Sequence, residues 1–250
     1  MRNTSWNPAA DWYHSYIEET GTYQKDLILP NLLRLLDIKK GEVVLDLACG
    51  QGFFTRAFAE KGAKAIGIDV SENLINIAKK RSPLITYYVS SAERISLINN
   101  LSIDKVTIIL AIQNIENVSS VIKECFRVLK TNGKIYFVLN HPAFRIPKET
   151  SWAWDEGKKI QYRRIDSYLS ESRAKIQIHP GSSPTDFTWS FHRPLQFYSK
   201  ILSNNGFVIS RIEEWNSHKI SEPGPKAMAE DKARKEIPLF MYIETKKITP

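Results

Sequence analysis

Asp46, Gly50, Gly52 and Asp69 are the residues whose types and spacing most clearly point to chemistry. Val43 to Leu47 is short, apolar and β-branched at its start, as a buried parallel strand is. Gly50 and Gly52 break that strand and let the backbone turn sharply. Phe53 to Lys61 follows as a helix, with Phe54, Ala57 and Phe58 at helical spacing. A second strand, Ala65 to Ile68, ends in Asp69. Strand, glycine turn and helix shape a nucleotide-binding crevice at the carboxyl edge of a parallel sheet. The acid that closes the second strand can accept both hydroxyls of a ribose. The dinucleotide fingerprint fails, because Thr55 stands at its third glycine point. Asp46 would repel a pyrophosphate but can help to position a ligand ammonium group.

The run Asp46-Leu47-Ala48-Cys49-Gly50-Gln51-Gly52 resembles motif I of the class I S-adenosylmethionine-dependent methyltransferases, in their small-molecule, type 11-like branch. That motif reads acid-x-Gly/Ala-x-Gly-x-Gly. Phe126 to Lys134 resembles the family's turn from a helix into the fifth strand. The resemblance covers residues 41–140 closely, 195–215 and 239–247 loosely, and the stretch between them not at all. It implies S-adenosyl-L-methionine as cofactor and S-adenosyl-L-homocysteine as product, with Asp46, Ala48, Gly50, Gly52 and Asp69 as cofactor contacts. Ser91-Ala92 stands where relatives carry Asp-Ala near the adenine. A serine there still hydrogen-bonds, but the carboxylate contact is lost. N-terminal segments cover the cofactor in this family, so Tyr13, Tyr23 and Gln24 are candidates to touch it or the substrate. The alternative is that these side chains only pack the segment on the sheet.

Methyl transfer is an in-line displacement at a carbon activated by a sulfonium. A base is needed only when the acceptor must lose a proton. His141 leaves the fifth strand at its carboxyl end, and its ordinary pKa lies near neutrality, so it is the candidate base. His192 and Glu116 are weaker candidates. Gln113 and Asn114 come off the fourth strand, the apolar run Val106 to Ala111, at the same edge, Gln113 toward the cofactor and Asn114 toward the substrate. Arg145, Arg163 and Arg164 can pair a substrate carboxylate or phosphate, or lie exposed. Trp154 and Tyr162 are candidate substrate walls.

The elements that must position these residues imply an α/β fold: a Rossmann-like, doubly wound, seven-stranded and mostly parallel sheet, its last strand antiparallel. Residues 1–40 read as a helical cap, with Trp6, Trp12, Tyr13, Tyr16 and Tyr23 ahead of an amphipathic leucine stripe. Residues 41–140 form the cofactor-binding core. Residues 141–194 read as an extended, aromatic-rich insertion over the crevice, with strands at Gln161 to Leu169, Lys175 to His179 and Phe187 to His192. Its aromatics either line a substrate site or form the insertion's own small core. Residues 195–250 complete the sheet, with Asn216 to Pro238 as a polar loop.

The chain of 250 residues, 42% hydrophobic and 25% charged, has the composition of a soluble globular protein. No apolar run approaches the length that spans a bilayer, and the first residues do not open a signal peptide. Cys49 and Cys125 read as reduced thiols, and no cluster has metal-ligand spacing, so a cytoplasmic, metal-free protein is expected. A net charge of +8 leaves an RNA methyltransferase open, although the Asn/Asp-Pro-Pro-Tyr/Phe signature of base N-methyltransferases is absent. A non-catalytic cofactor-binding subunit is the other alternative to an enzyme acting on a small molecule.

Overall fold

The structure is a computed structural model that describes residues 6, 7, 17, 19–178 and 187–248. Trp12, Tyr13, Tyr16 and His179 lie outside the described residues. A π-helical turn, Gln24–Ile28, runs directly into α1, Leu29–Leu36. Pro30 sits at the start of α1, where its missing N–H costs least, and its ring crowds the preceding turn.

Then come β1 (Val43–Leu47), α2 (Phe53–Glu60), β2 (Lys64–Asp69), α3 (Glu72–Arg81), β3 (Thr86–Val89) and β4 (Ile103–Ile109). A 3-10 turn, Ile112–Asn114, follows β4 and leads to α4 (Val118–Val128) and β5 (Leu129–Asn140). Four strands stand between this core and its completion: β6 (Thr150–Asp155), β7 (Ile160–Ile165), β8 (Ser172–Gln177) and β9 (Phe187–His192). The chain ends with α5 (Leu195–Ser203), β10 (Phe207–Trp215), α6 (Ala227–Glu236) and β11 (Phe240–Lys247).

The main sheet has seven strands in the order β10-β11-β5-β4-β1-β2-β3. Strands β1 to β5 pair in parallel, and β11 runs antiparallel between β5 and β10. Strand order reverses between β1 and β4, the position at which doubly wound sheets open a crevice.

Side-chain alternation divides the core between the two faces. Leu45, Leu47, Ile135 and Phe137 pack toward α4 and α5, where Val121, Ile122, Cys125 and Leu202 are buried. Val44, Tyr136 and Val138 face the other way, against Leu32 and Leu36 of α1 and Phe54 and Phe58 of α2. Burial of each large aliphatic or aromatic side chain stabilises the fold by roughly 1.5–3 kcal/mol.

Two parts depart from the sequence reading. The stretch expected as a polar loop contains α6, whose only buried residue is Ala233. With almost no apolar stripe, this helix is invisible to hydrophobic periodicity; its Ala, Glu, Lys and Arg content supplies helix propensity instead. Residues 141–194, expected as extended hairpins over the crevice, hold two separate hairpins that pack in different places. The hairpin β6–β7 packs on α6, whereas β8–β9 packs on the 3-10 turn after β4. Strand β6 was missed, and β8 begins earlier than expected.

Gly52 shows why the loop after β1 needs a glycine. Its φ is +79°, and a Cβ would lie 2.5 Å from the Tyr87 hydroxyl oxygen. Gly52→Ala is therefore expected to destabilise the protein by about 2–4 kcal/mol. Pairing it with Tyr87→Phe should recover part of that loss. Urea denaturation of the three variants tests this, and an unchanged midpoint for Gly52→Ala would contradict it.

Candidate functional site

At the carboxyl ends of β1, β2 and β4 a crevice opens in two lobes. The smaller, of about 140 Å³, lies between Trp6, Gly50, Leu74 and Leu110–Ala111. The larger, of about 250 Å³, lies against Ser90, Ser91, Ala92, Glu93 and Glu116. Ala48, Asp69, Val70, Asn114 and Ile115 line both lobes, so the two form one continuous site. Two wider grooves lie elsewhere. One, of about 640 Å³, is lined by Lys105, Lys130, Lys134 and Arg211, all bound to carboxylates of the protein itself. The other, of about 660 Å³, runs by the edge strand β3 and holds no catalytic group.

The loop between β1 and α2 turns through three residues of positive φ: Ala48 at 58°, Gly50 at 56° and Gly52 at 79°. This tight path turns the backbone N–H of Gly50 toward Asp69, whose Oδ2 accepts it at 2.9 Å. The Asp69 Oδ1 accepts the Ser71 N–H at 2.8 Å. Ser71 in turn caps α3 by accepting the Leu74 N–H. One carboxylate thus holds loop, strand end and helix start together. Burial pushes its pKa up, and the backbone donors of Ser71, Gly50 and Val70 oppose that shift.

Asp46 lies one layer deeper and is 2% exposed. Its oxygens accept the hydroxyls of Thr55 at 2.6 Å and Thr107 at 2.9 Å. Burial pushes its pKa to about 7; the two threonines resist this, while the Asp69 charge adds to it. Cys49 beside them is buried, and burial pushes its thiol up, so it is an unreactive packing residue.

The N-terminal segment reaches the site. The Ser71 hydroxyl donates to Asn7 Oδ1 at 2.6 Å, and Asn73 Nδ2 donates to the Asn7 carbonyl. Across the crevice, Asn114 Nδ2 donates to the carbonyl of Trp189, which ties the β8–β9 hairpin to the carboxyl edge of the sheet.

The structure brings together Ala48, Gly50, Asp69, Ser91, Ala92 and Asn114 of the expected residues. The Ser91 hydroxyl is partly committed, since its oxygen accepts the Glu93 N–H at 3.2 Å. Gly52 serves packing against Tyr87 and does not line the crevice. Tyr23 packs edge-on to His218 and Phe240 and bonds Ser217 through its hydroxyl, outside the crevice lining. Gln113 turns away into a separate small cavity, which Arg145 also lines. Trp154, Tyr162 and Arg163 sit on the β6–β7 hairpin. Arg163 donates to the Phe144 carbonyl and the Thr150 hydroxyl, and Lys226 lies over the Trp154 ring. These side chains hold the hairpin together and to α6, outside the crevice.

The expectation for His141 is corrected. The ring is buried, and neither lobe includes it. Its Nδ1 accepts the N–H groups of Ala143 and Phe144 at 3.2 and 3.3 Å. The proton therefore resides on Nε2, which donates to Glu214 Oε1 at 2.7 Å. Burial pushes its pKa down, and Glu214 opposes that. With both nitrogens used, the ring has no lone pair for a substrate; it latches the turn after β5 to β10. His192 is similarly committed, donating Nε2–H to the Tyr168 carbonyl at 2.7 Å.

Val70, Leu74 and Ile115 are crevice walls that the sequence reading passed over. Their signal was position: Val70 directly follows β2, Leu74 lies in the first turn of the helix after it, and Ile115 closes the 3-10 turn after β4.

Residues 45–137 match the family model described as a methyltransferase domain. The chain is 32% identical over 157 residues to a malonyl-[acyl-carrier protein] O-methyltransferase of Hamiltonella defensa, covering 63% of this chain and 58% of the relative. It is 31% identical over 101 residues to a ubiquinone biosynthesis O-methyltransferase of Idiomarina loihiensis, covering 39% of this chain and 42% of the relative. The matches thus span about half the length of these named relatives. A crystal structure of an S-adenosylmethionine-dependent methyltransferase from Mesorhizobium loti superposes with a TM-score of 0.72 at 24% identity, over 90% of this chain and 100% of that one. The fold is that of the S-adenosylmethionine-dependent methyltransferases. Residues 45–137 thus carry a methyltransferase domain similar to the type 11 group of the class I enzymes, and its cofactor is S-adenosyl-L-methionine.

The crevice fits that cofactor: Asp69 presents a carboxylate, Ala48 and Gly50 keep side-chain bulk away, and Val70, Leu74 and Ile115 supply apolar walls. Among the described residues no group of three or more His, Cys, Asp or Glu could hold a metal, and no helix is long and apolar enough to cross a membrane.

Asp46 makes stability depend on pH. Its folded pKa is raised above the ordinary 3.8, so its contribution is complete below that value and is lost as pH climbs through about 7. Asp46→Asn should flatten this interval. The ceiling is about 4 kcal/mol, at about 1.4 kcal/mol per tenfold change in proton affinity. Denaturant melts at pH 4.5, 6 and 8 test the sign. A wild-type stability that rises over this range relative to the variant would contradict it.

Proposed function

We propose that this methyltransferase acts on a small molecule, transferring the methyl group to oxygen. The observation that carries the reading is the crevice itself: an apolar slot ending in one fixed carboxylate, with the β8–β9 hairpin tied to its lining residue Asn114. The names of the matched relatives support oxygen as the acceptor atom and a small molecule as substrate.

The residues divide the work by position. Asp69, held by Gly50 and Ser71, is placed to accept the ribose hydroxyls. Ser91 and Ala92 border the larger lobe, where the adenine fits. Asp46 lies beneath the loop as a charge that favours an ammonium group above it. The bound cofactor supplies a sulfonium-activated methyl. The protein then needs to hold the acceptor oxygen in line and exclude water, which can account for roughly 7–11 kcal/mol of the barrier. Trp6 and the β8–β9 hairpin are the groups placed to exclude water. With His141 committed elsewhere and Asp69 tied to backbone N–H groups, Glu93 and Glu116 are the carboxylates of the larger lobe that remain for taking up an acceptor proton.

Asp69→Ala removes both the ribose partner and the tie between Gly50 and Ser71. Calorimetry with S-adenosylhomocysteine should show binding to wild type and a loss of at least about 100-fold in Asp69→Ala, as expected when charge-assisted hydrogen bonds are lost at a buried site. Asp69→Asn should recover only part. Unchanged affinity in both variants would place the ligand elsewhere.

A further inference from the structure

The end of β9 is joined to the crevice wall at two points. Asn114 Nδ2 donates to the Trp189 carbonyl at 2.9 Å, and Arg193 Nη2 donates to the Glu116 carbonyl at 2.7 Å. The two bonds run in opposite senses, one from wall to strand and one from strand to wall. Between them they hold both ends of residues 114–116, which line the larger lobe. This short segment lies between regular elements: the 3-10 turn ends at Asn114 and α4 begins at Val118. Its position therefore depends on what ties it from outside.

Arg193 is a costly side chain with which to make such a tie. It is 6% exposed. Its guanidinium lies over the rings of Phe191 and Phe197, each centred 5.1 Å away, and beside the Tyr198 hydroxyl. Among the described residues the one carboxylate within reach is Glu171, 3.9 Å from Nε and 60% exposed. Taking a guanidinium out of water costs more than a distant, solvated carboxylate returns. An apolar side chain of similar length would fill the slot between the two rings at less cost. The stability of the fold thus gives no reason for a charge at this position. What Arg193 does that an apolar side chain cannot is donate to the Glu116 carbonyl, and that bond bears on the crevice.

We propose that Arg193 is a positioning residue for the cofactor crevice. Its bond to the Glu116 carbonyl, with that of Asn114 to Trp189, fixes residues 114–116 relative to residues 90–93, another segment that borders the larger lobe. Arg193 itself lines neither lobe and acts through the backbone that it holds. The inference rests on the cofactor crevice and is independent of which molecule accepts the methyl group.

The test titrates full-length protein calorimetrically with S-adenosylhomocysteine and measures the melting temperature of each variant. Arg193→Met should weaken binding by about tenfold, the effect of losing one charge-assisted hydrogen bond. Its melting temperature should stay close to that of wild type, because Met fills the same slot and Glu171 remains in water. Arg193→Lys keeps a donor and should recover part of the affinity. Phe197→Leu loosens the slot but keeps the donor, so it should lower the melting temperature and leave the affinity unchanged. Wild-type affinity in Arg193→Met, or an equal loss of affinity in Phe197→Leu, would overturn the inference and leave Arg193 as a packing residue. Where Arg193→Met does not fold, Arg193→Lys is set against Phe197→Leu: weaker binding in the lysine variant supports the inference, and equal binding overturns it. Failure of wild type to bind S-adenosylhomocysteine would instead overturn the cofactor crevice on which the inference rests.

Discussion

The Asp69 carboxylate is the interaction on which the site depends. It accepts one N–H from the loop after β1 and one from the start of α3, so a single side chain sets the distance between two separate chain segments. Neither N–H can find a helical partner, because both belong to backbone that is turning. Asp69 therefore carries a structural load before any ligand arrives. The same arrangement brings a second carboxylate, Asp46, close enough to raise its proton affinity. Two neighbouring buried acids cost folding free energy. The threonine hydroxyls of Thr55 and Thr107 offset part of that cost, and a cationic ligand group would offset more. This is a site held in a state that a positively charged ligand relieves.

What the sequence disclosed follows from which forces act locally. The central parallel strands are buried on both faces, so Val43–Leu47 and the stretch from Val106 to Ala111 read as apolar runs with no help from tertiary context, although β4 begins earlier, at Ile103. The crevice loop was legible because glycines and acids at fixed offsets answer to backbone geometry, which is a property of a few consecutive residues. The helix Ala227–Glu236 was not, because it buries almost nothing and so leaves no periodic trace. The hairpins of residues 141–194 were expected, but where each of them docks was hidden. Which hairpin meets which neighbour is decided by α6 and the 3-10 turn, dozens of residues away.

His141 and Arg193 show the same limit from opposite sides. Sequence position put His141 at a crevice-facing strand end, and that placement is right for its backbone. Its role was settled by Glu214, on a strand added 73 residues later, and by the two N–H groups that its Nδ1 accepts. Arg193 had no motif around it, and it lies just before a helix where an exposed arginine is the ordinary expectation. Its burial comes from Phe191, Phe197 and the 3-10 turn folding around it. Long-range packing silenced one candidate and created the other.

The carboxyl edge of the sheet is thereby divided between two chemistries. On the β1–β2 side the polar groups are carboxylates, which suits a ligand with hydroxyl and ammonium donors. On the β5 side they are guanidiniums and a carboxamide oxygen. The 3-10 turn Ile112–Asn114 is the boundary, with Asn114 facing one side and Gln113 the other. His141 lies at the strand end on this β5 side, where its bonds to Glu214 and to the Ala143 and Phe144 N–H groups make it the latch that keeps the turn after β5 in place.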